Sequence, residues 1–89
     1  MPDSSGRRIA LFIAEGCHLC EQALAVVREA HAHAAFELEV IDISGDVELE
    51  AEYRTRLPVI ELDGVCAFTY FVTLEALLER LSGDGSPPR

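Results

Sequence analysis

Positive charge is scarce in this chain. Seven basic residues stand against sixteen acidic ones among 89, for a formal charge of −9. A surface of that sign repels phosphate backbones and anionic lipid headgroups, so neither nucleic acid nor a membrane surface is an expected partner. Long apolar runs are also missing, and nothing approaches the roughly 20 residues that a bilayer-spanning helix needs. Arg7-Arg8 before Ile9–Ala14 mimics a signal peptide, but the apolar run ends after six residues at Glu15-Gly16. That is shorter than a signal h-region. Cysteine is sparse, with three residues in all. An odd count argues against a secreted disulfide scaffold and for a reduced, cytoplasmic setting. No second C-x-x-C and no H-x₃₋₅-H occurs, so a four-ligand zinc site of the usual kind cannot be assembled from one chain.

The length fits one small domain, and 49% hydrophobic residues are enough for one packed core. Small, polar and Pro-rich stretches at the two ends read as tails over 1–7 and 83–89, which leaves a domain over 8–82. There are no internal repeats.

Ile9–Ala14 is a continuous apolar run bounded by charge and glycine, as in a central strand covered on both faces. From His18 to about Ala34, Ala23, Val26, Val27 and Ala30 fall on one helical stripe. Phe36–Ile43 alternates apolar and acidic residues, which suits a strand near a sheet edge. Asp46 is placed to cap a short helix running to about Arg54. Val59–Leu62 and Val65–Val72 flank Asp63-Gly64, a two-residue hairpin signal. Leu74, Leu77, Leu78 and Leu81 mark a last helix, with Thr73 as cap and Gly83 as stop. The order β-α-β-α-β-β-α predicts an α/β sandwich around a four-stranded mixed sheet, with a parallel pair from the first crossover and an antiparallel pair from the hairpin.

Gly16-Cys17-His18-Leu19-Cys20 lies where the first strand gives way to the first helix. Unpaired N–H groups and the positive end of the helix dipole favour a thiolate there. Residues three apart on a helix are neighbours, so Cys17 and Cys20 fall within disulfide reach. Cys17 as thiolate is expected to attack a substrate disulfide, and Cys20 to resolve the mixed disulfide. The alternatives are two inert thiols, a fold kept as a binding module, or metal or iron–sulfur carriage using Cys17 thiolates from two chains.

Cys17-His18-Leu19-Cys20 after a short apolar strand, followed by Arg56-Leu57-Pro58-Val59-Ile60 before Asp63-Gly64, resembles the glutaredoxin branch of the thioredoxin superfamily. It is similar to small glutaredoxin-like proteins with a Tyr-x-x-Arg-hydrophobic-Pro-Val segment, here Tyr53 to Val59. The resemblance implies a thioredoxin-like fold and a cis peptide at Leu57-Pro58 facing the dithiol. Leu57 would offer its backbone to an extended substrate. His18, Leu19, Arg56, Pro58 and Thr69 would complete the groove.

Three departures bear on the substrate. Phe68-Thr69 stands where glutathione-using members have a glycine pair, and Phe71-Val72 where they have aspartates. Bulky side chains crowd the close approach that glycine permits, and apolar ones cannot pair with an ammonium group. Glu15 occupies the region where a lysine is common; its carboxylate opposes a thiolate at Cys17, whereas a protonated His18 favours one. No bound cofactor is expected, and these departures disfavour glutathione as a co-substrate. The expected partner is a protein disulfide or another low-molecular-weight thiol, acting on a monomer. Cys66 reads as a small buried hydrophobe. His31 and His33, two apart on the first helix, face different ways and suit its C-terminal dipole rather than a metal.

Overall fold

The computed structural model describes residues 7–83. They run through β1 (Arg8–Ile13), α1 (His18–His33), β2 (Glu37–Asp42), α2 (Val47–Tyr53), a 3₁₀ turn (Arg54–Arg56), β3 (Val59–Leu62), β4 (Val65–Thr69) and α3 (Leu74–Gly83). The strands form one sheet in the order β2-β1-β3-β4. β1 and β2 are parallel, while β3 is antiparallel to both β1 and β4. The mixed four-stranded sheet and three helices match the expected arrangement. The hairpin turns on Asp63 and Gly64, both at positive φ (54° and 86°), as a two-residue turn compatible with strand twist demands.

One face of the sheet carries the main core. Ile9 and Leu11 of β1 and Ile60 and Leu62 of β3 pack against Ala23, Val27 and Ala30 of α1 and Leu77 and Leu81 of α3. The expected stripe on α1 is the one buried, except that Val26 sits at its half-buried margin. α1 ends as the backbone extends at Ala34, and His31 donates from Nε2 to the Phe36 carbonyl at 2.8 Å.

On the other face, α2 has only seven residues and covers only the end toward which β1 runs. Phe12, Ile43 and Val59 are buried there, with Leu49, Tyr53 and Leu57 packed around them. The Phe12 and Tyr53 rings stack at 4.1 Å, and the Tyr53 hydroxyl donates to Glu61 Oε2 at 3.3 Å. Burial, and then the Glu61 carboxylate, push the Tyr53 phenol above its ordinary value. A raised value favours the neutral phenol, so its contribution to stability persists to about pH 10 and is lost as pH rises through the shifted value. Phenolate absorbance of a Tyr70→Phe variant, which leaves Tyr53 as the only tyrosine, is therefore expected to have its midpoint above about pH 10.

Beyond α2 the second face is open. Arg8, Ala10, Phe12, Glu39, Ile41, Glu61, Asp63 and Gly64 line a groove of about 510 Å³. β1 is thus covered on both faces only over its last residues, because the second layer is shorter than the strand. The same opening corrects the reading of Cys66. It pairs with Glu61 on this uncovered side, and its side chain is exposed rather than buried.

The strict two-residue hairpin register would set Pro58 opposite Thr69, but a bulge between Ile60 and Glu61 places Val59 there instead. β4 also ends at Thr69, three residues before the expected Val72. Of the expected tails, residues 1–6 and 84–89 lie outside the described residues. Gly83 closes α3. Arg7 is anchored: its Nε meets Asp63 Oδ2 at 3.0 Å and its Nη1 donates to the Leu81 carbonyl at 2.8 Å. No helix among the described residues is long and apolar enough to cross a membrane.

Candidate functional site

The strand-to-helix turn after β1 is built by three local devices. Gly16 takes φ +76°, a conformation that a side chain disfavours. The Glu15 N–H donates to Ser44 Oγ at 2.9 Å, which ties this turn to the loop after β2. Ser44 in turn donates its own N–H to Asp42 Oδ1 at 2.9 Å. That backbone bond, and then the Ser44 hydroxyl, hold the Asp42 carboxyl below the usual carboxylate range. The support they give is therefore present above the ordinary aspartate value and lost as pH falls through the lowered one.

Cys17 is the N-cap of α1, in an extended conformation. Its Sγ accepts the Cys20 N–H at 3.1 Å, and its carbonyl accepts the Glu21 N–H at 3.2 Å to close the first turn. Cys17 and Cys20 are joined as a disulfide with Cα atoms 5.1 Å apart. The two sulfurs differ in access. Cys17 is half-buried, whereas Cys20 is only 2% exposed beneath it. Such a pair has one thiol able to meet a partner and one able to meet only its neighbour.

Cys17 opens into a depression of about 210 Å³ lined also by Ala14, Glu15, Gly16, Arg54 and Leu57. The Leu57-Pro58 peptide is cis, and the Pro58 carbonyl accepts the Tyr70 N–H at 3.0 Å. Of the residues expected at the groove, Leu57 shares the depression with Cys17. His18 is exposed and Leu19 half-buried in the first turn of α1, and Thr69 sits half-buried in the ladder opposite Val59. Arg56 is drawn elsewhere: it donates to the Glu52 carbonyl at 2.9 Å and lies over the Tyr53 ring. Arg54 takes its place at the rim.

Ser44 was not singled out by sequence reading. Ser44-Gly45-Asp46 signals a turn, but nothing in it reveals a bond to a residue 29 positions earlier. Among the described residues, no group of three or more His, Cys, Asp or Glu side chains could hold a metal ion.

No curated protein matches the chain. Solved structures do. Protein Ne2328 from Nitrosomonas europaea is 32% identical, with a TM-score of 0.68 over 86% of this chain and 93% of that one. Target protein XcR50 from X. campestris is 25% identical, with a TM-score of 0.72 over 86% of this chain and 99% of that one. Chloroplastic thioredoxin z, at 17% identity and a TM-score of 0.72, covers 86% of this chain and 76% of its own. At that identity it speaks for the fold alone, which is thioredoxin-like. The family model described as Glutaredoxin-like domain (DUF836) matches residues 8–82. With a vicinal cysteine pair at the head of α1 and a family match from β1 through α3, this chain belongs to the glutaredoxin-like domain family of the thioredoxin superfamily.

Proposed function

We propose that the chain is a small dithiol–disulfide oxidoreductase. The observation that carries this reading is the unequal access of two bonded cysteines at a helix N-terminus. In the reduced form, the Cys20 N–H and the dipole of α1 favour thiolate at Cys17. That thiolate attacks one sulfur of a substrate disulfide. A Cys17–substrate bond forms, the substrate S–S bond breaks, and the departing thiolate takes a proton from solvent. Cys20 then gives up its proton and attacks the Cys17 sulfur, releasing the second substrate thiol. Two electrons pass from the dithiol to the substrate, and an external thiol reductant restores the dithiol.

One chain carries every group this cycle uses, and the electrons reside in the cysteines, so no bound cofactor is required. His18 and Leu19, beside Cys17, and Leu57, across the depression, are the surfaces a bound substrate would meet; Pro58, expected among them, is fully buried and does not line the depression. The odd cysteine count and the exposed Cys66 suit a reducing, cytoplasmic setting.

The test is capture. A Cys20→Ser variant retains attack but loses resolution, so it is expected to accumulate mixed disulfides whose partners mass spectrometry identifies. The parent chain should equilibrate between dithiol and disulfide within roughly −200 to −300 mV. A variant that captures nothing, beside a parent that stays reduced throughout that window, would leave the fold as a binding module.

A further inference from the structure

β4 stops at Thr69 although Tyr70, Phe71 and Val72 continue a run of strand-forming side chains. The backbone instead reverses in a three-residue turn, in which the Phe71 N–H donates to the Thr69 carbonyl at 2.7 Å. Tyr70, at its centre, has φ +69°. A bulky side chain disfavours this left-handed region. Two bonds hold the turn against that strain. The Tyr70 N–H reaches the Pro58 carbonyl at 3.0 Å, and the Tyr70 hydroxyl reaches the Thr55 carbonyl at 3.1 Å. Both anchors lie on the segment whose Leu57 lines the Cys17 depression. The result is a pair of aromatic side chains in water on a turn tied to the segment that carries Leu57, Phe71 at 71% exposure and Tyr70 at 46%. Continuing the strand would have avoided the strain, and the turn gains Phe71 no place in the core.

The charges around the depression indicate what would cover these rings. Arg54 pairs with Glu50 at 3.5 Å and Arg56 with Glu52 at 3.4 Å, so both nearby guanidinium groups already face carboxylates. Glu15 lines the depression itself, and the chain carries −9 overall. A small thiol bearing carboxylates meets a like charge at Glu15 and, among the described residues lining the depression, a single guanidinium that already faces Glu50. An extended polypeptide with an apolar side chain beside its cysteine meets aromatic surface and is not repelled.

Building on the oxidoreductase reading, we propose that Phe71, presented by the strained Tyr70 turn, selects protein disulfides with an apolar residue next to the reacting cysteine. It does so by covering that residue while Cys17 attacks the adjacent sulfur.

The test uses two synthetic peptides of equal length, each with one cysteine activated as a mixed disulfide with thionitrobenzoate. One has Phe beside the cysteine and the other has Ser, so that the two carry the same charge. Cys17 attack on the peptide sulfur releases the coloured thionitrobenzoate anion, and Cys20 then displaces the peptide thiol. The reduced chain is expected to favour the Phe peptide in second-order rate by about tenfold, the scale of partly burying one aromatic side chain. Phe71→Ser should bring that ratio to about one, since Phe71 is the surface that the peptide residue covers. Val65→Ser, a change at a comparably exposed valine at the opposite end of β4, should retain the preference. Because the readout is a ratio within each variant, it is independent of how much active protein each preparation holds. Equal rates for the two peptides in the parent chain, or a preference that survives Phe71→Ser, would overturn the assignment while leaving the exchange chemistry intact. Failure to react with either peptide or with a small aryl disulfide would overturn both.

Discussion

Replacing Cys17 by serine is expected to reduce disulfide exchange by about a thousandfold or more, because the hydroxyl remains protonated where a thiolate would attack. The choice of serine separates chemistry from folding. Cys17 caps α1 by accepting the Cys20 N–H through its side chain, and serine is among the best residues for that position. The variant should therefore unfold close to the melting temperature of the reduced parent. Cys17→Ala removes the sulfur and the cap together, and should cost about 1 kcal/mol in addition to the activity. Thionitrobenzoate release and thermal unfolding of the reduced proteins measure the two effects side by side. Substantial exchange by Cys17→Ser would move the nucleophile to another cysteine and remove the assignment made to α1.

Truncation of Leu77 to alanine should be the most destabilising of the substitutions considered. Leu77 is fully buried, and α3 uses it to close the face of the sheet shared with α1. Leu→Ala at such a site costs about 2–5 kcal/mol, from lost transfer energy and from the cavity left behind. A domain of this size holds only about 5–15 kcal/mol in total. The melting temperature should accordingly fall by more than about 10 °C. Val65→Ala, on the exposed hairpin, is the comparison, with an expected change of about 0.5 kcal/mol or less. Thermal and urea unfolding of the reduced forms read both, and a small effect at Leu77 would mean that α3 is not seated on the sheet.

What sequence reading captured was local or periodic. Asp46 caps α2 by accepting the Leu49 N–H, and Thr73 caps α3 by accepting the Ala76 N–H, each at 3.1 Å. Both were legible because a cap is made within three residues of itself. The dithiol was legible for the same reason. Cys66 was misread because its burial depends on how far α2 extends over the sheet, which no residue near Cys66 specifies. The bulge between Ile60 and Glu61 was invisible because an alternating pattern carries no mark of one extra residue. Tyr70-Phe71-Val72 reads as strand by propensity, and only the bonds to Pro58 and Thr55, 12 and 15 positions earlier in the chain, reveal the turn. Arg56 and Arg54 lie two apart at a helix end, each paired with a glutamate four residues earlier, and which of them borders Cys17 depends on how α2 seats on the sheet.

The clasp around Arg7 has a geometric consequence for how this domain is attached to anything else. Arg7 holds Asp63 at the hairpin tip and the Leu81 carbonyl near the end of α3, while β1 carries the chain from that clasp to the dithiol. Six strand residues span about 20 Å. Both ends of the described segment therefore leave from one pole, and the sulfurs sit at the other. A tether at either end, whether to further polypeptide or to a solid support, points away from Cys17. An immobilised domain would keep its reactive pole facing solvent.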